Sequence, residues 1–228
     1  MCQRGNALLA SDVYFSYGPE RDTSLALRMN DIISDDELIT RARAGDDRAF
    51  ALLVDRYESA VAATVVGMLG PGEDADDVGQ ETFIRFHRAL GAFRGESSLK
   101  TYLVHIAMNL SLNALKRRRR SLLRFVRDDD TVNEIAEFRA GPDDRLETRE
   151  TQQRVRRAVL QLTEDHRAVV VLRMFNGYST RETAELLGVA EGTVMSRLSR
   201  AMKELEKKLM GRDGGIPSEG AKRRSEEP

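Results

Sequence analysis

Residues 179–200 read Ser-Thr-Arg-Glu-Thr-Ala-Glu-Leu-Leu-Gly-Val-Ala-Glu-Gly-Thr-Val-Met-Ser-Arg-Leu-Ser-Arg. Ser179 and Glu182 have the spacing of a capping box, in which two helix-start donors are satisfied reciprocally. Leu187-Gly188-Val189 then supplies a turn, and a longer helix is expected from about Glu191 to Met210. Two helices joined by a short turn containing glycine form a helix-turn-helix pattern, although an ordinary helical hairpin has the same signature. In the second helix Val194, Leu198, Ala201, Leu205 and Leu209 form an apolar stripe. Thr193, Ser196, Arg197, Arg200 and Lys203 place hydroxyls and cations elsewhere on it, side chains that can reach phosphates and base edges in a major groove.

Upstream of this pair, Thr163 caps an expected helix that runs to about Phe175 and stops at Asn176-Gly177, and a further helix is expected near 150–161. Segment 121–150 contains Asp128-Asp129-Asp130 and Gly141-Pro142-Asp143-Asp144 with few apolar residues, the composition of a flexible acidic linker. Before it, breaks at Gly45, Gly70-Pro71-Gly72 and Gly91 through Ser97 leave four expected helices, roughly 35–44, 47–69, 75–90 and 98–120. Ser34 and Glu37 mark the start of the first. The expectation is therefore an all-α chain of two small helical domains, 29–120 and 151–210, joined by 121–150. Residues 1–28 show no periodicity and are expected to be disordered or to lie upstream of a true start at Met29. The tail 211–228 is expected to be disordered.

The 228 residues carry a net charge of only −1, but the charge is segregated. Residues 29–84 have 13 acidic side chains against 4 basic, and residues 85–127 have 11 basic against Glu96 alone. The linker is again acidic and residues 151–212 are basic, with 12 cations against 7 acids. Two basic blocks fit a polyanion touched at two places, and solvated helix surface is the plainer reading. Cys2 is the only cysteine, which excludes an intrachain disulfide and fits a reducing cytoplasm. No apolar run approaches the roughly 20 residues needed to span a bilayer, so no membrane insertion is expected. His87, His105 and His166 lack metal-ligand spacing and there is no glycine-rich phosphate loop. Neither a metal, another cofactor nor an enzymatic activity is expected.

On the helix 98–120, Leu99, Leu103, Ile106 and Leu110 form an inward stripe, whereas His105, Asn109, Asn113 and Lys116 lie on another face that ends in Lys116-Arg117-Arg118-Arg119-Arg120. Amides, an imidazole and cations can bond to bases and hold phosphates. The preceding loop, Phe93-Arg94-Gly95-Glu96-Ser97-Ser98, is small and flexible enough to form a pocket for an unstacked base.

Three stretches resemble region 2 of bacterial sigma factors: Asp76-Asp77-Val78-Gly79-Gln80-Glu81-Thr82-Phe83, Phe93 through Leu103, and Ile106-Ala107-Met108-Asn109-Leu110. Leu162-Thr163-Glu164 through Gly192-Thr193-Val194-Met195-Ser196-Arg197-Leu198-Ser199-Arg200-Ala201 resembles region 4. Together they are similar to the small two-domain group called extracytoplasmic-function (ECF) sigma factors, over roughly residues 35–210. The resemblance implies a non-catalytic subunit that directs core RNA polymerase to promoter DNA. It implies that Asp76, Asp77, Val78, Gln80, Glu81, Phe83 and Ile84 meet core polymerase. Arg94, Gly95, Glu96, Ser97, Ser98, Lys100, Tyr102, His105, Asn109, Asn113 and Lys116 would capture and melt the minus-10 element. Arg181, Thr193, Met195, Ser196, Arg197, Ser199, Arg200 and Lys203 would bind the minus-35 duplex. A cognate anti-sigma factor that masks the polymerase-binding faces is implied as well.

The chain departs from the family pattern at five positions. Tyr102 stands where tryptophan is usual, His105 and Met108 stand where basic or small residues are frequent, and Met195 replaces a common lysine or arginine. Gly79 interrupts the polymerase-binding helix at a cost of about 1 kcal/mol relative to Ala. The competing reading is a self-sufficient helix-turn-helix repressor or activator. That reading requires a dimerisation surface, and the sequence holds no long heptad zipper to provide one.

Overall fold

The computed structural model describes residues 33–125 and 146–210, and all regular structure among them is helical. The N-terminal segment 1–28, the tail 211–228 and most of the expected linker lie outside the described residues. The first four helices are α1 (Asp35–Arg43), α2 (Asp47–Leu69), α3 (Glu73–Ala89) and α4 (Leu99–Phe125). Four more follow: α5 (Leu146–Leu160), α6 (Glu164–Val170), which continues as a π-helical turn Val171–Phe175, α7 (Thr180–Leu187) and α8 (Glu191–Met210). Helices α4 and α5 extend past the expected ends at 120 and 150. Propensity favours continuing the basic run of α4, because arginine and leucine are good helix formers and no glycine or proline intervenes before Phe125.

The caps follow the local chemistry. Ser34 accepts from the Glu37 backbone N–H at 3.3 Å. Asp46 accepts from the N–H groups of Arg48 and Ala49 and is gripped by Arg41. That Arg41 hydrogen bond, more than any other contact, holds the Asp46 carboxyl below its ordinary range. At α7 the capping box is complete: Glu182 N–H donates to Ser179 Oγ at 3.2 Å and Ser179 N–H donates to Glu182 at 2.7 Å. Gly188 ends that helix at φ 64°, a left-handed position that a side chain would strain.

Helices α1 to α4 enclose one core, with Leu38, Leu53, Val65, Phe86, Leu103 and Ala107 fully or almost fully buried. Phe86 stacks on Phe50 and meets Phe93 and Tyr102 edge-on. Helices α5, α6 and α8 share a second core that includes Val159, Leu162, Val170, Ala201 and Leu205. A third buried cluster joins the two domains: Met68 of α2 and Val104 and Met108 of α4 pack against Ala168, Val171, Leu172 and Tyr178.

The seam is closest at a glycine inside α2, Gly67, which the sequence reading did not single out. A Cβ added at Gly67 would lie 2.8 Å from Val171 Cγ2 and 3.1 Å from Phe175 Cδ2, so the helices approach too closely for any side chain there. Several polar groups are paired across the seam. Asn176 Nδ2 donates to Thr64 Oγ1 at 3.1 Å, and Arg167 donates at 2.6 Å to the Met68 carbonyl in the last turn of α2. The same guanidinium also bonds the carbonyls of Leu160 and Leu162.

Gly67→Leu is expected to part the two domains while leaving their helices intact. Small-angle scattering should show a larger radius of gyration with unchanged helical circular dichroism, and an unchanged radius would contradict the close approach. Ser179→Ala should cost about 1 kcal/mol in urea denaturation, the usual worth of a helix N-cap. The two hydrogen bonds from Ser179 hold the Glu182 carboxyl below its ordinary range. The box therefore contributes fully at neutral pH and fades as acid protonates that carboxylate, a loss that denaturation at falling pH should reveal in wild type and not in Glu182→Gln.

Candidate nucleic-acid interface

Helix α4 divides its circumference into three faces at about 100° per residue. Leu99, Leu103 and Ala107 point into the first domain's core, and Ile106 and Leu110 are half-buried beside them. Val104, Met108 and Ser111 are buried on a second face, turned toward the other domain. The third face carries His105, Asn109, Asn113 and Lys116, all exposed, as the sequence pattern indicates. Asn109 Nδ2 lies 3.0 Å from His105 Nε2, so the amide and imidazole orient one another on that face. Arg117 to Arg120 are exposed at its end.

The loop Arg94–Ser98 is exposed throughout and turns at Gly95, φ 71°. It is fastened at both ends. Arg43 donates to the carbonyls of Leu90 and Phe93, and Ser98 Oγ accepts from the Thr101 N–H at 3.1 Å. Tyr102 is half-buried with its ring 5.0 Å from that of Phe93, so it braces the loop from within the aromatic cluster.

Facing the loop is a wall that the sequence reading did not include. Ile33, Ser34, Asp35, Asp36, Arg56 and Tyr57 close an open cleft of about 800 Å³ whose other side is Phe93 and Gly95 to Leu99. Asp35 binds both Arg56 and the Tyr57 hydroxyl. Burial, and then the neighbouring carboxylate, pushes the Tyr57 phenol up, which keeps it neutral and a donor. These residues lie about 40 to 60 positions from the loop, so only the packing of α1 and α2 brings them to it.

One residue of the minus-10 set is engaged elsewhere. Lys100 Nζ donates to the Asn176 carbonyl at 3.2 Å and sits 5.5 Å from the centre of the Tyr178 ring, across the domain seam.

In the second domain, Val194, Ala201 and Leu205 are buried, with Leu198 and Leu209 half-buried beside them. Ser196, Ser199, Arg200 and Lys203 are exposed on the opposite side of α8, Thr193 is half-buried, and Met195 is 64% exposed. Lys207, which the sequence reading left out, continues the row Ser196, Arg200, Lys203 by one further turn. Arg197 lies on the flank and is bound to Asp165 at 2.6 Å. Arg181 pairs with Glu185 at 3.1 Å on the exposed side of α7.

On α3, Asp76, Asp77, Gln80 and Ile84 share an exposed face with half-buried Glu81, which pairs with Arg85 at 2.8 Å. Val78 belongs to the opposite face and is only 7% exposed, so it supports the core and cannot be part of that surface. Phe83 is half-buried on the border between the two faces. Gly79 is buried inside a continuous helix.

Comparison with known proteins agrees with this division. Residues 53–121 match the family model for sigma-70 region 2, and residues 152–205 match that for sigma-70 region 4. The chain is 36% identical over 184 residues to the RNA polymerase sigma-H factor of Pseudomonas aeruginosa, covering 77% of this chain and 93% of that protein. It is 35% identical over 189 residues to the ECF RNA polymerase sigma-E factor of Escherichia coli K12, covering 79% and 97%. Among solved structures, CnrH in complex with the cytosolic domain of CnrY is 29% identical with a TM-score of 0.54, covering 76% of this chain and 96% of CnrH. RpoE of Bartonella quintana, solved with the anti-sigma factor NepR, shares the fold at 24% identity and a TM-score of 0.57, covering 71% and 96%. Two sigma-70 region models in order on two packed helical domains, together with relatives covered almost end to end, place the chain in the sigma-70 family of RNA polymerase sigma factors, in its ECF group.

Proposed function

We propose that this chain is a non-catalytic promoter-specificity subunit acting in the cytoplasm, with the first domain opening the minus-10 element and the second holding the minus-35 duplex. The observation that carries this reading is the third face of α4. A helix already buried on two sides presents only amides, an imidazole and cations on its third, beside a fastened loop and an open cleft. Unstacking a base costs a few kcal/mol, so opening requires both a place to receive the base and contacts to its phosphates. The loop Arg94–Ser98 with its cleft would provide the first, and Lys116 and the arginines after it the second. The exposed acidic and apolar face of α3, with Asp76, Asp77, Gln80, Glu81 and Ile84, is assigned to core polymerase.

A cognate anti-sigma factor is proposed as a regulatory partner for this chain too, a reading supported by relatives solved with partner proteins, CnrH with the cytosolic domain of CnrY and RpoE with the anti-sigma factor NepR. Lys100 would serve the minus-10 element only once its contact with Asn176 is released, which links promoter engagement to the arrangement of the two domains.

Run-off transcription with core polymerase on a genomic promoter library tests the reading: discrete starts that depend on this protein are expected, and their absence refutes it. Asn109→Ala should lower permanganate-reactive open complex while leaving binding to core polymerase unchanged; wild-type reactivity would remove Asn109 from the role. For holoenzyme on the minus-35 duplex, Arg200→Ala and Lys203→Ala should each flatten the salt dependence of affinity by roughly 0.9 in slope, one phosphate's worth of released counterion. An unchanged slope would show that these cations do not meet phosphate.

A further inference from the structure

We propose that Met195 determines promoter specificity by reading a thymine through its C5-methyl group, an inference that rests on the assignment of α8 to the minus-35 duplex. Among the described residues the large apolar side chains left exposed are Ile84, Met174, Met195, Met202 and Met210. Of these, only Met195 lies in the first two turns of the second helix of the helix-turn-helix, the part that enters a major groove in such motifs. It is 64% exposed.

Within the stretch Gly192 to Ser199 it is the long side chain of its row, the next being Met202 two turns further on. One turn before it is Gly192, where an added Cβ would meet none of the described residues within 4 Å, and one turn after it is Ser199, short and exposed. A base pair facing the row Gly192, Met195, Ser199 can therefore be touched deeply only by the thioether. The neighbouring hydroxyl of Ser196 is turned back to the Thr193 carbonyl at 3.0 Å, and the Arg197 guanidinium is held by Asp165. Neither competes for that position.

The chemistry of the side chain then selects the base. A thioether has no charge and donates no hydrogen bond, so it cannot make the bidentate contact by which arginine reads guanine. The one apolar group that any base edge offers in the major groove is the methyl of thymine. Methionine is unbranched and polarizable and adapts to such a surface. Removing one methyl from water against it corresponds to about fourfold in affinity, from roughly 0.8 kcal/mol per buried carbon.

The test is selection of minus-35 sequences from a randomised promoter pool by holoenzyme carrying the wild type, Met195→Ala or Met195→Arg. The wild type should retain one T·A pair that becomes degenerate with Ala and shifts toward G·C with Arg. At that pair, deoxyuridine in place of thymidine should weaken wild-type holoenzyme binding about fourfold and leave Met195→Ala unaffected. Identical wild-type and Ala pools would overturn the proposal. So would wild-type binding indifferent to deoxyuridine at every thymine of the element, the result expected if Met195 serves a protein partner instead. A wild-type holoenzyme that enriches no sequence would overturn the promoter-specificity reading itself, a failure distinct from either.

Discussion

Helix α4 has to satisfy two cores at once and still keep one side in water, and the remaining structure is arranged around that demand. Its first buried face, Leu99, Leu103 and Ala107, completes the bundle of α1 to α3. Its second, Val104 and Met108, forms with Met68 the apolar floor on which the second domain rests. Only about a third of the circumference is left, and there the side chains are polar or cationic from His105 to Arg120. Because both buried faces belong to one rigid helix, the direction of the third is set by packing on two sides. A solvated amphipathic helix, held on one side only, would have no such restraint.

The seam between the domains combines two kinds of contact with different consequences. Its apolar part is tight, since the missing side chain at Gly67 lets Val171 and Phe175 approach α2 to a distance that even alanine would obstruct. Its polar part is made of groups that water can serve equally well: the Thr64 hydroxyl, the Asn176 amide, the Arg167 guanidinium and the Lys100 ammonium. One of them, Asn176 Oδ1, has no hydrogen-bond partner among the described residues although it is buried. Such an acceptor costs about 1 to 3 kcal/mol when left unpaired. Separation of the domains would return it to water, so a seam of this composition opens at a lower cost than an apolar one of equal size.

The π turn at Val171–Phe175 bears on the same surface. Asn176 N–H reaches back five residues to the Val171 carbonyl at 3.1 Å, which widens the end of the helix where it lies against α2. Asn176 and Gly177 have the composition of a helix end, and the helix does end there. The asparagine side chain, however, is buried against Thr64.

Much of the fold was legible in the amino-acid sequence, because helix periodicity, capping boxes and glycine stops are local. Ser34 with Glu37, Ser179 with Glu182, and Gly188 mark helix ends from a few residues each, and the apolar stripe of α8 follows from spacing alone. The exposed polar face of α4 was legible for the same reason. What the sequence could not reveal depends on which helix meets which. Val104 and Met108 look like excess apolar residues until the second domain covers them. Val78 matches a contact motif but points into the core, and Lys100 and Arg197 are cations whose partners, Asn176 and Asp165, are distant in sequence. The cleft wall of Asp35, Arg56 and Tyr57 arises only when α1 and α2 pack beside the loop. The sequence by itself thus determined the helices, most of their ends and the polarity of each face, since these depend on neighbours within a turn or two. The tertiary structure alone decided which faces are covered, which cations are already paired and where the cleft lies, since each depends on contacts between residues tens of positions apart.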